Sequence, residues 1–400
     1  MTNGGFSRAG LERMERVMAA LVERGEVPGL VWAVHRRGET HVGAAGTFRP
    51  DGEGPPMARD TIFRTASICK PVTAAAAMML VEDGVLGLDD PVDEYLPELA
   101  KRKVLKSLES PLDDTVPAKR PITLRDLLTL RMGLGAVMVW PAVHPIQKAM
   151  EERGVAPGPA LYSAGSQDHY MKSLGELPLV HQPGEGWLYH TGMEVAGVLV
   201  SRASGRSLGA FLKERIFDPL GMKDTAFFVP AEKQQRLPPC YGRDPATGTF
   251  GEFDPSGGTG FRSPPVFESG GGGLVQTVDD YMAFARMMLG GGEVDGVRRL
   301  SRASVELMTT DQLSEDERND PFFFRGASGW GFGMSVAVKK TDLWMNPGRF
   351  GWDGGFGTSA YVDPKEGLVG VLCTQRMMDS PLPPPAFTAF WTQAYAAMAD

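Results

Sequence analysis

Both ends of this 400-residue chain carry segments typical of β-strands, whereas its middle is typical of helices. Near the N-terminus, residues 29–35 and 40–46 predict a hairpin. Near the C-terminus, residues 330–339, 357–363 and 367–374 predict three more strands, rich in Val, Phe and Tyr and bounded by Gly or Pro. Strands separated by so much helical sequence most simply form one antiparallel sheet built from both chain ends. We therefore predict an α+β fold in which a helical lobe is inserted into a sheet lobe.

Apolar residues at helical spacing, together with capping residues, mark the predicted helices. These cover residues 11–21, 67–83, 123–130, 191–203, 207–217 and 386–398. The predicted α/β lobe comprises residues 1–85 and 265–400, and the mainly helical lobe comprises residues 86–264. A ligand site is expected in the cleft between two such lobes.

Charge argues against two classes of partner. The 41 Lys and Arg residues are outnumbered by 49 Asp and Glu residues, which gives a formal net charge of −8. Such a chain offers no basic surface for nucleic acid, and we expect no nucleic-acid partner. No apolar run approaches the roughly 18 residues of a membrane span, so we expect no membrane partner either. The sequence leaves the oligomeric state unknown.

Cysteine and histidine usage argues against disulfides, metals and cofactors. Cys69, Cys240 and Cys373 are too few and too dispersed for a disulfide framework, and their odd number favours reduced thiols. The six histidines show no metal-binding spacing, and we predict no metal or cofactor. The N-terminal residues lack the apolar core of a secretory signal, so we expect a cytoplasmic protein, although a chain trimmed of its signal would look the same.

One serine in the chain has a lysine three residues after it. Of the thirteen lysines, Lys70 alone has this neighbour, in the segment Ser67-Ile68-Cys69-Lys70. Residues three apart share a helix face, and small apolar residues after Thr73 indicate that the turn is buried. Burial and the positive end of a helix favour the neutral amine, which can accept the serine proton. An N-capping Ser67 beside an exposed Lys70 is the structural alternative.

The surrounding sequence resembles the serine β-lactamase and penicillin-binding-protein family, in its class C β-lactamase and family VIII carboxylesterase branch. The resemblance runs in order along nearly the whole chain. It is carried by residues 65–73, 80–84, 88–92, 122–129, 183–189, 219–225 and 270–280. It implies a β-lactamase/transpeptidase-like fold and a serine nucleophile, Ser67, with Lys70 as its base.

A second motif of the family, Tyr-x-Asn, is represented by Tyr189-His190-Thr191. The resemblance implies that Tyr189 shares proton transfer with Lys70. Thr191 departs from the family's Asn and lacks an amide to hold a substrate carbonyl or the lysine. His190 and Thr191 are the implied substrate-binding positions here. A packed core tyrosine is the alternative for Tyr189.

The family's third motif, Lys-Thr-Gly, is absent, and Gly351-Trp352-Asp353-Gly354-Gly355-Phe356-Gly357-Thr358 stands in its place. The resemblance implies that the backbone N–H groups of Ser67 and Gly355 form the oxyanion hole. Trp352 and Gly354 are the implied substrate-binding positions, with Trp352 where the cation would be. An apolar indole favours neutral esters over β-lactams, whose carboxylate needs the cation. Packing at a sheet edge is the alternative for Trp352.

Three further motifs are better explained without catalysis. Ser207 lies in a Gly-x-Ser-x-Gly pattern, but a helix precedes it where a nucleophile elbow needs a strand, so Ser207 is predicted to be an N-cap. His190-Thr191-Gly192 imitates a His-Thr-Gly motif but follows Tyr189 directly and opens a helix. Cys69 is predicted to pack in the core.

The sequence therefore predicts a serine hydrolase that cleaves carboxylic esters of small or medium acyl groups through an acyl-Ser67 intermediate. Its partner is a small-molecule ester or acyl substrate. An acyltransferase, or a β-lactamase or peptide hydrolase with the same apparatus, is the nearest alternative. The choice depends on the loops between about Ala136 and Gln182. A non-catalytic binding protein on the same fold is the alternative from another class.

Overall fold

The computed structural model describes residues 4–158, 165–244, 246–253 and 261–399. Its helices are α1 Arg8–Glu23, α2 Lys70–Glu82, α3 Leu124–Leu128, α4 Pro145–Glu152, α5 Gln167–Gly175, α6 Thr191–Ser204, α7 Leu208–Leu212, α8 Asp218–Leu220, α9 Val278–Leu289, α10 Arg302–Met308, α11 Glu315–Arg318 and α12 Pro385–Ala396. A π-helical turn, Lys213–Phe217, joins α7 to α8, and a 3₁₀ turn, Ala66–Cys69, leads into α2.

The strands are β1 Gly29–Arg36, β2 Glu39–Gly46, β3 Phe63–Arg64, β4 Lys103–Leu105, β5 Thr115–Pro117, β6 Cys240–Arg243, β7 Phe250–Phe253, β8 Val275–Gln276, β9 Glu293–Val294, β10 Val297–Arg298, β11 Ser328–Trp330, β12 Ser335–Ala337, β13 Phe350–Gly354, β14 Thr358–Asp363 and β15 Leu368–Thr374. Seven of them form the main sheet, in the order β11-β12-β13-β14-β15-β1-β2. Every neighbouring pair in it is antiparallel. Both chain ends contribute to this one sheet, as the sequence predicts, and the N-terminal hairpin joins it by pairing β1 with β15.

Helices cover both faces of this sheet, which explains why β1 is buried along its whole length. Successive side chains of a strand point to opposite faces. Leu30, Trp32 and Val34 pack on the face shared with α1 and α12. Val31 and Ala33 belong to the larger core that contains α2 and α9. The fold is the predicted antiparallel sheet with flanking helices.

The strand predicted over residues 330–339 is wrong in one respect, because two strands share it. β11 ends at Trp330 and β12 begins at Ser335. Gly333 has a φ of +73°, which favours glycine and turns the chain. A side chain at Gly331 would place Cβ 2.1 Å from the carbonyl oxygen of Met308. The two glycines therefore allow the chain to reverse here.

Within the described ranges, residues 86–264 contain α3–α8 and also the short two-stranded sheets β4–β5 and β6–β7. The predicted helical segments are present, with boundaries shifted by a few residues. The lobe boundaries at residues 85 and 265 stay a prediction. Within the described ranges, no helix combines the length and apolar character needed to cross a membrane.

Candidate active site

Ser67 lies in the 3₁₀ turn immediately before α2, and its Oγ is 2.9 Å from Lys70 Nζ. Side chains three residues apart eclipse one another in a 3₁₀ turn, which brings this pair together. Ala66, at the start of the turn, has a φ of +47°, an uncommon conformation for a residue with a Cβ. Backbone conformations of this kind concentrate at functional sites.

Thr65 fixes the turn to the strands around it. Its backbone N–H and its Oγ1 both donate to the carbonyl oxygen of Leu274, at 2.9 and 2.7 Å. Its carbonyl oxygen accepts a 2.7 Å hydrogen bond from Thr358 Oγ1. The nucleophile turn is therefore held between the loop before β8 and the start of β14.

Lys70 is completely buried, with 0% of its surface exposed. Besides Ser67, its Nζ lies 2.5 Å from the carbonyl oxygen of Gly271 and 3.3 Å from His190 Nδ1. The amine also lies over the Tyr189 ring, 4.8 Å from the ring centroid. Burial of an amine is tolerated when its N–H groups have acceptors, and Lys70 has them.

Tyr189 approaches Lys70 with its ring face, whereas its hydroxyl is engaged elsewhere. The hydroxyl oxygen accepts a hydrogen bond from Trp352 Nε1. Within the described residues, no hydrogen bond joins this hydroxyl to Ser67 or Lys70. The ring belongs to an aromatic cluster. Its members are Trp187, Tyr189, Phe323, Phe324, Trp330 and Trp352. The structure thus brings Ser67, Lys70, Tyr189 and Trp352 to one place.

His190 has an unusual backbone that turns its side chain toward Lys70. Its φ and ψ are +82° and −63°, and the Thr191 N–H donates to the Tyr189 carbonyl oxygen at 3.2 Å. This is a γ-turn of the rare, strained form, and it comes just before α6. His190 is 5% exposed and its ring contacts Lys70. Its substrate-binding role stays a prediction.

A buried carboxylate lies behind His190. His190 Nε2 is 2.9 Å from Oε1 of Glu194, one helical turn further along α6, and Glu194 is 0% exposed. Ser269 Oγ donates to the same oxygen at 2.7 Å. A Cβ at Gly271 would lie 2.4 Å from it, so a glycine makes room for the carboxylate. Burial first, and then the charge of Lys70, lowers the pKa of His190.

The glycines after Trp352 have different surroundings. A Cβ at Gly354 would lie 2.2 Å from the carbonyl oxygen of Thr65, so this glycine allows β13 to approach the nucleophile turn. A Cβ at Gly355 would meet no heavy atom within 4 Å. Open space therefore adjoins Gly355. Thr191 is completely buried, and its hydroxyl has no partner in the described part of the chain.

Ser207 and Cys69 have the structural positions predicted for them. Ser207 is the N-cap of α7 and accepts a hydrogen bond from the Ala210 N–H. Cys69 is buried, and its Sγ donates to the carbonyl oxygen of Gly270. Burial raises the pKa of this thiol to about 12.

A cavity of about 350 Å³ shares the aromatic wall of the site. Trp187 and Phe323 line it, and both pack on Tyr189. Its other lining residues are Lys106, Ser107, Leu108, Ala136, Val137, Met138, Val180, His181, Leu188, Asp320 and Phe322. Five of these belong to the loops between Ala136 and Gln182, on which the choice between the alternative activities is expected to depend. Residues 159–164 of the same region lie outside the described residues.

Sequence reasoning missed Glu194, Ser269 and Gly271. A glutamate inside the apolar stretch Met193–Val195, four residues after His190, was the available signal, because residues at that spacing share a helix face. Nothing in the local sequence indicates that Ser269 and Gly271 approach the same carboxylate.

Comparison with known proteins agrees with this architecture. Residues 14–388 match the beta-lactamase family model. Protein Rv1367c of Mycobacterium tuberculosis is 40% identical over 342 residues, covering 83% of this chain and 82% of its own length. Lovastatin esterase of Penicillium rubens is 30% identical over 390 residues, covering 91% of this chain and 93% of its own length.

A solved structure has the same fold. EstCE1, described as a hydrolase with promiscuous acyltransferase activity, superimposes with a TM-score of 0.79 at 22% identity, covering 97% of this chain and 99% of that one. The family model spans most of the chain, and the relatives align over most of their length. The chain therefore belongs to the beta-lactamase family.

Proposed function

We propose that this protein is a serine hydrolase that cleaves carboxylic esters with small or medium acyl groups through a covalent acyl-Ser67 intermediate. The observation that carries the proposal is the 2.9 Å contact between Ser67 Oγ and the buried Lys70 Nζ. A serine hydroxyl is a weak nucleophile until a base takes its proton. An amine enclosed by protein is such a base once it is neutral.

In the first step, Ser67 Oγ attacks the ester carbonyl carbon while its proton passes to Lys70. The carbonyl π electrons move to oxygen and form an oxyanion. The backbone N–H groups of Ser67 and Gly355 are the proposed donors to this oxygen. The open space beside Gly355 supports this role, because the reacting carbonyl needs room to approach.

In the second step, the bond between the carbonyl carbon and the alcohol oxygen breaks, and the alcohol leaves with a proton from Lys70. Tyr189 assists this transfer in the proposed mechanism. Its hydroxyl oxygen already accepts from Trp352 Nε1, so its own O–H remains available to a substrate oxygen. Water then attacks the acyl carbon, which releases the acid and restores Ser67.

Two features favour a neutral, mainly apolar substrate. An indole stands at Trp352, where the resemblance places a cation that binds carboxylates. The neighbouring cavity, about 350 Å³, is lined largely by apolar and aromatic side chains such as Trp187 and Phe323. We assign the apolar part of the substrate to this cavity. Its volume suits a short or medium chain or a compact ring system.

The relatives support ester chemistry and keep acyl transfer as a second candidate. Lovastatin esterase is named for the cleavage of an ester, and EstCE1 combines hydrolysis with acyl transfer. The same acyl-Ser67 intermediate serves both reactions, since an alcohol can replace water in the last step. The proposed family VIII carboxylesterase assignment requires that the acyl-enzyme react with water in preference to an alcohol.

The test is turnover of p-nitrophenyl esters from acetate to octanoate by the wild-type protein, Ser67→Ala and Ser207→Ala. We expect Ser67→Ala to lose all turnover and Ser207→Ala to retain it, with circular dichroism showing that both are folded. Mass spectrometry of the quenched reaction should find the acyl group on the peptide that contains Ser67.

Other results would change the assignment. Retention of activity by Ser67→Ala would overturn it. Turnover of a cephalosporin but of no ester would favour the β-lactamase alternative, and inactivity toward every ester, β-lactam and acyl acceptor would favour a binding protein. Faster loss of ester with an added alcohol, with the new ester as product, would favour acyl transfer.

A further inference from the structure

The Lys70 ammonium has three N–H bonds, and the structure offers an acceptor for each. These are Ser67 Oγ at 2.9 Å, the Gly271 carbonyl oxygen at 2.5 Å and His190 Nδ1 at 3.3 Å. Two of these acceptors hold the amine in place, while the third is the nucleophile. His190 is therefore one of the two fixed supports of Lys70.

Lys70 can donate to His190 Nδ1 in only one of the two neutral tautomers of the ring. Nδ1 accepts from Lys70 only when it carries no proton, and in that tautomer the proton of the neutral ring is on Nε2. Nε2 faces Glu194 Oε1 at 2.9 Å. A doubly protonated ring would put a second cation 3.3 Å from the ammonium, and burial also disfavours it.

Three independent features preserve this arrangement. The strained γ-turn at His190 directs the ring to Lys70. Gly271 leaves room for the Glu194 carboxylate, and Ser269 anchors it. Glu194 is fully buried, and a buried carboxylate is costly unless it is paired. Strain and a buried charge retained at one place indicate a functional requirement.

We propose that His190 and Glu194 are positioning residues of the acylation step, in which neutral His190 holds Lys70 against Ser67 and Glu194 supplies the counter-charge for the ammonium that forms there. The proposal rests on the proposed function, because it assigns a task in the attack by Ser67.

The same contacts serve both protonation states of the amine. When Lys70 is neutral, its lone pair faces the Ser67 hydroxyl, and its two N–H bonds go to Gly271 and His190. When the Ser67 proton has moved to Nζ, the third N–H points back to Ser67 Oγ. His190 accepts in both states, so no side chain has to rotate during the transfer. The negative charge of Glu194 offsets the positive charge that appears on Lys70.

Several titratable groups face this chain of contacts. Cys69 and Tyr189 lie beside Lys70, and Tyr170 of α5 lies near Glu194. Burial raises the pKa of Cys69 to about 12, and burial also raises that of Tyr170, so both stay neutral near pH 7. Glu194 is the carboxylate of this chain of contacts and is joined to Lys70 through His190.

The first test is the protonation of His190, which needs no substrate. Long-range ¹H–¹⁵N NMR spectra of the labelled wild-type protein at pH 7.5 distinguish the two neutral tautomers, and comparison with His190→Asn assigns the signals. We expect a neutral ring protonated on Nε2. A ring protonated on Nδ1, or on both nitrogens, would overturn the proposal.

The second test is the pH dependence of Ser67 phosphonylation by a fluorophosphonate. The Oγ–P bond forms, the P–F bond breaks, fluoride leaves and the serine proton passes to Lys70. In Glu194→Gln, which keeps the shape and removes the charge, the ammonium is less favoured. We expect the acid limb of the rate profile to move to lower pH by about one unit and the plateau rate to fall about tenfold.

Three further variants make the second test specific. Asp280→Asn removes another buried carboxylate, which accepts hydrogen bonds from the Thr225 hydroxyl and the Asp224 backbone N–H. This variant should leave the acid limb of the rate profile in place even if it lowers the Tm. In His190→Asn, the amide oxygen occupies the position of Nδ1, so it should label faster than His190→Ala.

The outcomes are distinguishable. If wild-type Ser67 does not react with the probe at any pH, the proposed function fails. If wild-type Ser67 reacts and Glu194→Gln keeps both the limb and the plateau of the wild type, the positioning proposal alone fails. A matching limb shift in Asp280→Asn would also overturn it, because the shift would then not be specific to the contacts of Lys70.

Discussion

The indole Nε1 of Trp352 donates a hydrogen bond to the hydroxyl oxygen of Tyr189, and the two ring centroids are 5.7 Å apart. This contact joins the last motif of the sequence, on β13, to the loop before α6. It orients the Tyr189 hydroxyl, while Lys70 contacts the ring face of the same residue. This side-chain pair therefore directly links the β13 side of the candidate site to Tyr189.

Trp352→Phe removes the N–H donor and keeps an aromatic ring in the cluster. We expect kcat for p-nitrophenyl butyrate to fall about fivefold, because loss of a hydrogen bond of about 1 kcal/mol frees the Tyr189 hydroxyl. Trp330→Phe is the matched control, since Trp330 belongs to the same cluster but donates its N–H to the Leu128 carbonyl oxygen. Equal losses of kcat in both variants would refute a specific role for the Trp352 donor.

Gly271→Ala and Gly272→Ala test the space beside the buried carboxylate. A Cβ at Gly271 would lie 2.4 Å from Glu194 Oε1, whereas at Gly272 the nearest atoms are 3.9 Å away. Overpacking of this kind costs about 1–3 kcal/mol. We expect Gly271→Ala to lower both the Tm and the rate of Ser67 labelling, and Gly272→Ala to match the wild type. Chemical denaturation and the labelling assay measure the two effects, and an unchanged Gly271→Ala would contradict the packing described here.

Gly354→Ala and Gly355→Ala separate two roles of neighbouring glycines. At Gly354 the new Cβ would lie 2.2 Å from the Thr65 carbonyl oxygen and 2.1 Å from Thr358 Oγ1, so β13 would have to move away from the nucleophile turn. We expect a loss of about 2 kcal/mol of unfolding free energy. Gly355→Ala should keep the wild-type stability, because its Cβ meets open space. Urea denaturation of the two variants measures both free energies of unfolding. A larger loss in Gly355→Ala than in Gly354→Ala would mean that the backbone at these two glycines is placed differently from the arrangement described here.

Individual strands and helices could be predicted from the sequence where the pattern of apolar residues and the positions of glycine agree. The β1–β2 hairpin and the helix that follows Ser67 illustrate this, since Gly38 marks the turn between the two strands and Gly84 marks the end of the helix. The single strand predicted over residues 330–339 was wrong because Gly331 and Gly333 turn the chain inside an otherwise strand-like segment. Local propensity cannot show which glycine is needed for close packing.

The candidate site shows a second limit of sequence reasoning. Ser67 and Lys70 are close in sequence, so their contact follows from helical geometry. Glu194 and Gly271 meet at the lysine only after the chain between them has folded, and that contact has no local signature. The substrate-binding role that the resemblance implies for His190 stays a prediction, and nothing in the local sequence indicates that a γ-turn directs this ring inward to Lys70.

Cys69 lies two residues after the nucleophile, and we expect it to be chemically inert in the folded protein. Burial raises the pKa of its thiol to about 12, so only about one molecule in 10⁴ carries the reactive thiolate at pH 8. Iodoacetamide at pH 8 should leave Cys69 unmodified in the native protein and modify it after unfolding in guanidinium. Mass spectrometry of tryptic peptides gives the readout, and rapid alkylation of native Cys69 would show that the turn opens.

Asp353 lies between Trp352 and Gly354 and makes stability depend on pH. Its carboxylate accepts from Ser359 Oγ at 2.6 Å and from the Tyr361 hydroxyl at 3.3 Å, yet loss of water contact raises its pKa from 3.8 to about 6. A folded pKa above the unfolded value means that the contribution of Asp353 to stability is fully present below pH 3.8 and is lost as the pH rises through about 6.

Asp353→Asn removes this dependence, because the amide never ionises. Relative to the wild type, the variant should gain unfolding free energy as the pH rises from 4 to 7, by an amount on the order of 2 kcal/mol. Asp89→Asn should show the opposite slope, because the hydrogen bond from Arg125 lowers the pKa of Asp89, whose stabilising contribution is therefore lost as the pH falls. Urea denaturation at pH 4, 5, 6 and 7 measures the Asp353→Asn series. Denaturation at pH 2.5, 3, 4 and 5 measures the Asp89→Asn series, because the contribution of Asp89 is lost below the unfolded pKa of 3.8. Parallel curves for Asp353→Asn and the wild type would mean that the Asp353 carboxylate is as well solvated in the folded chain as in the unfolded one.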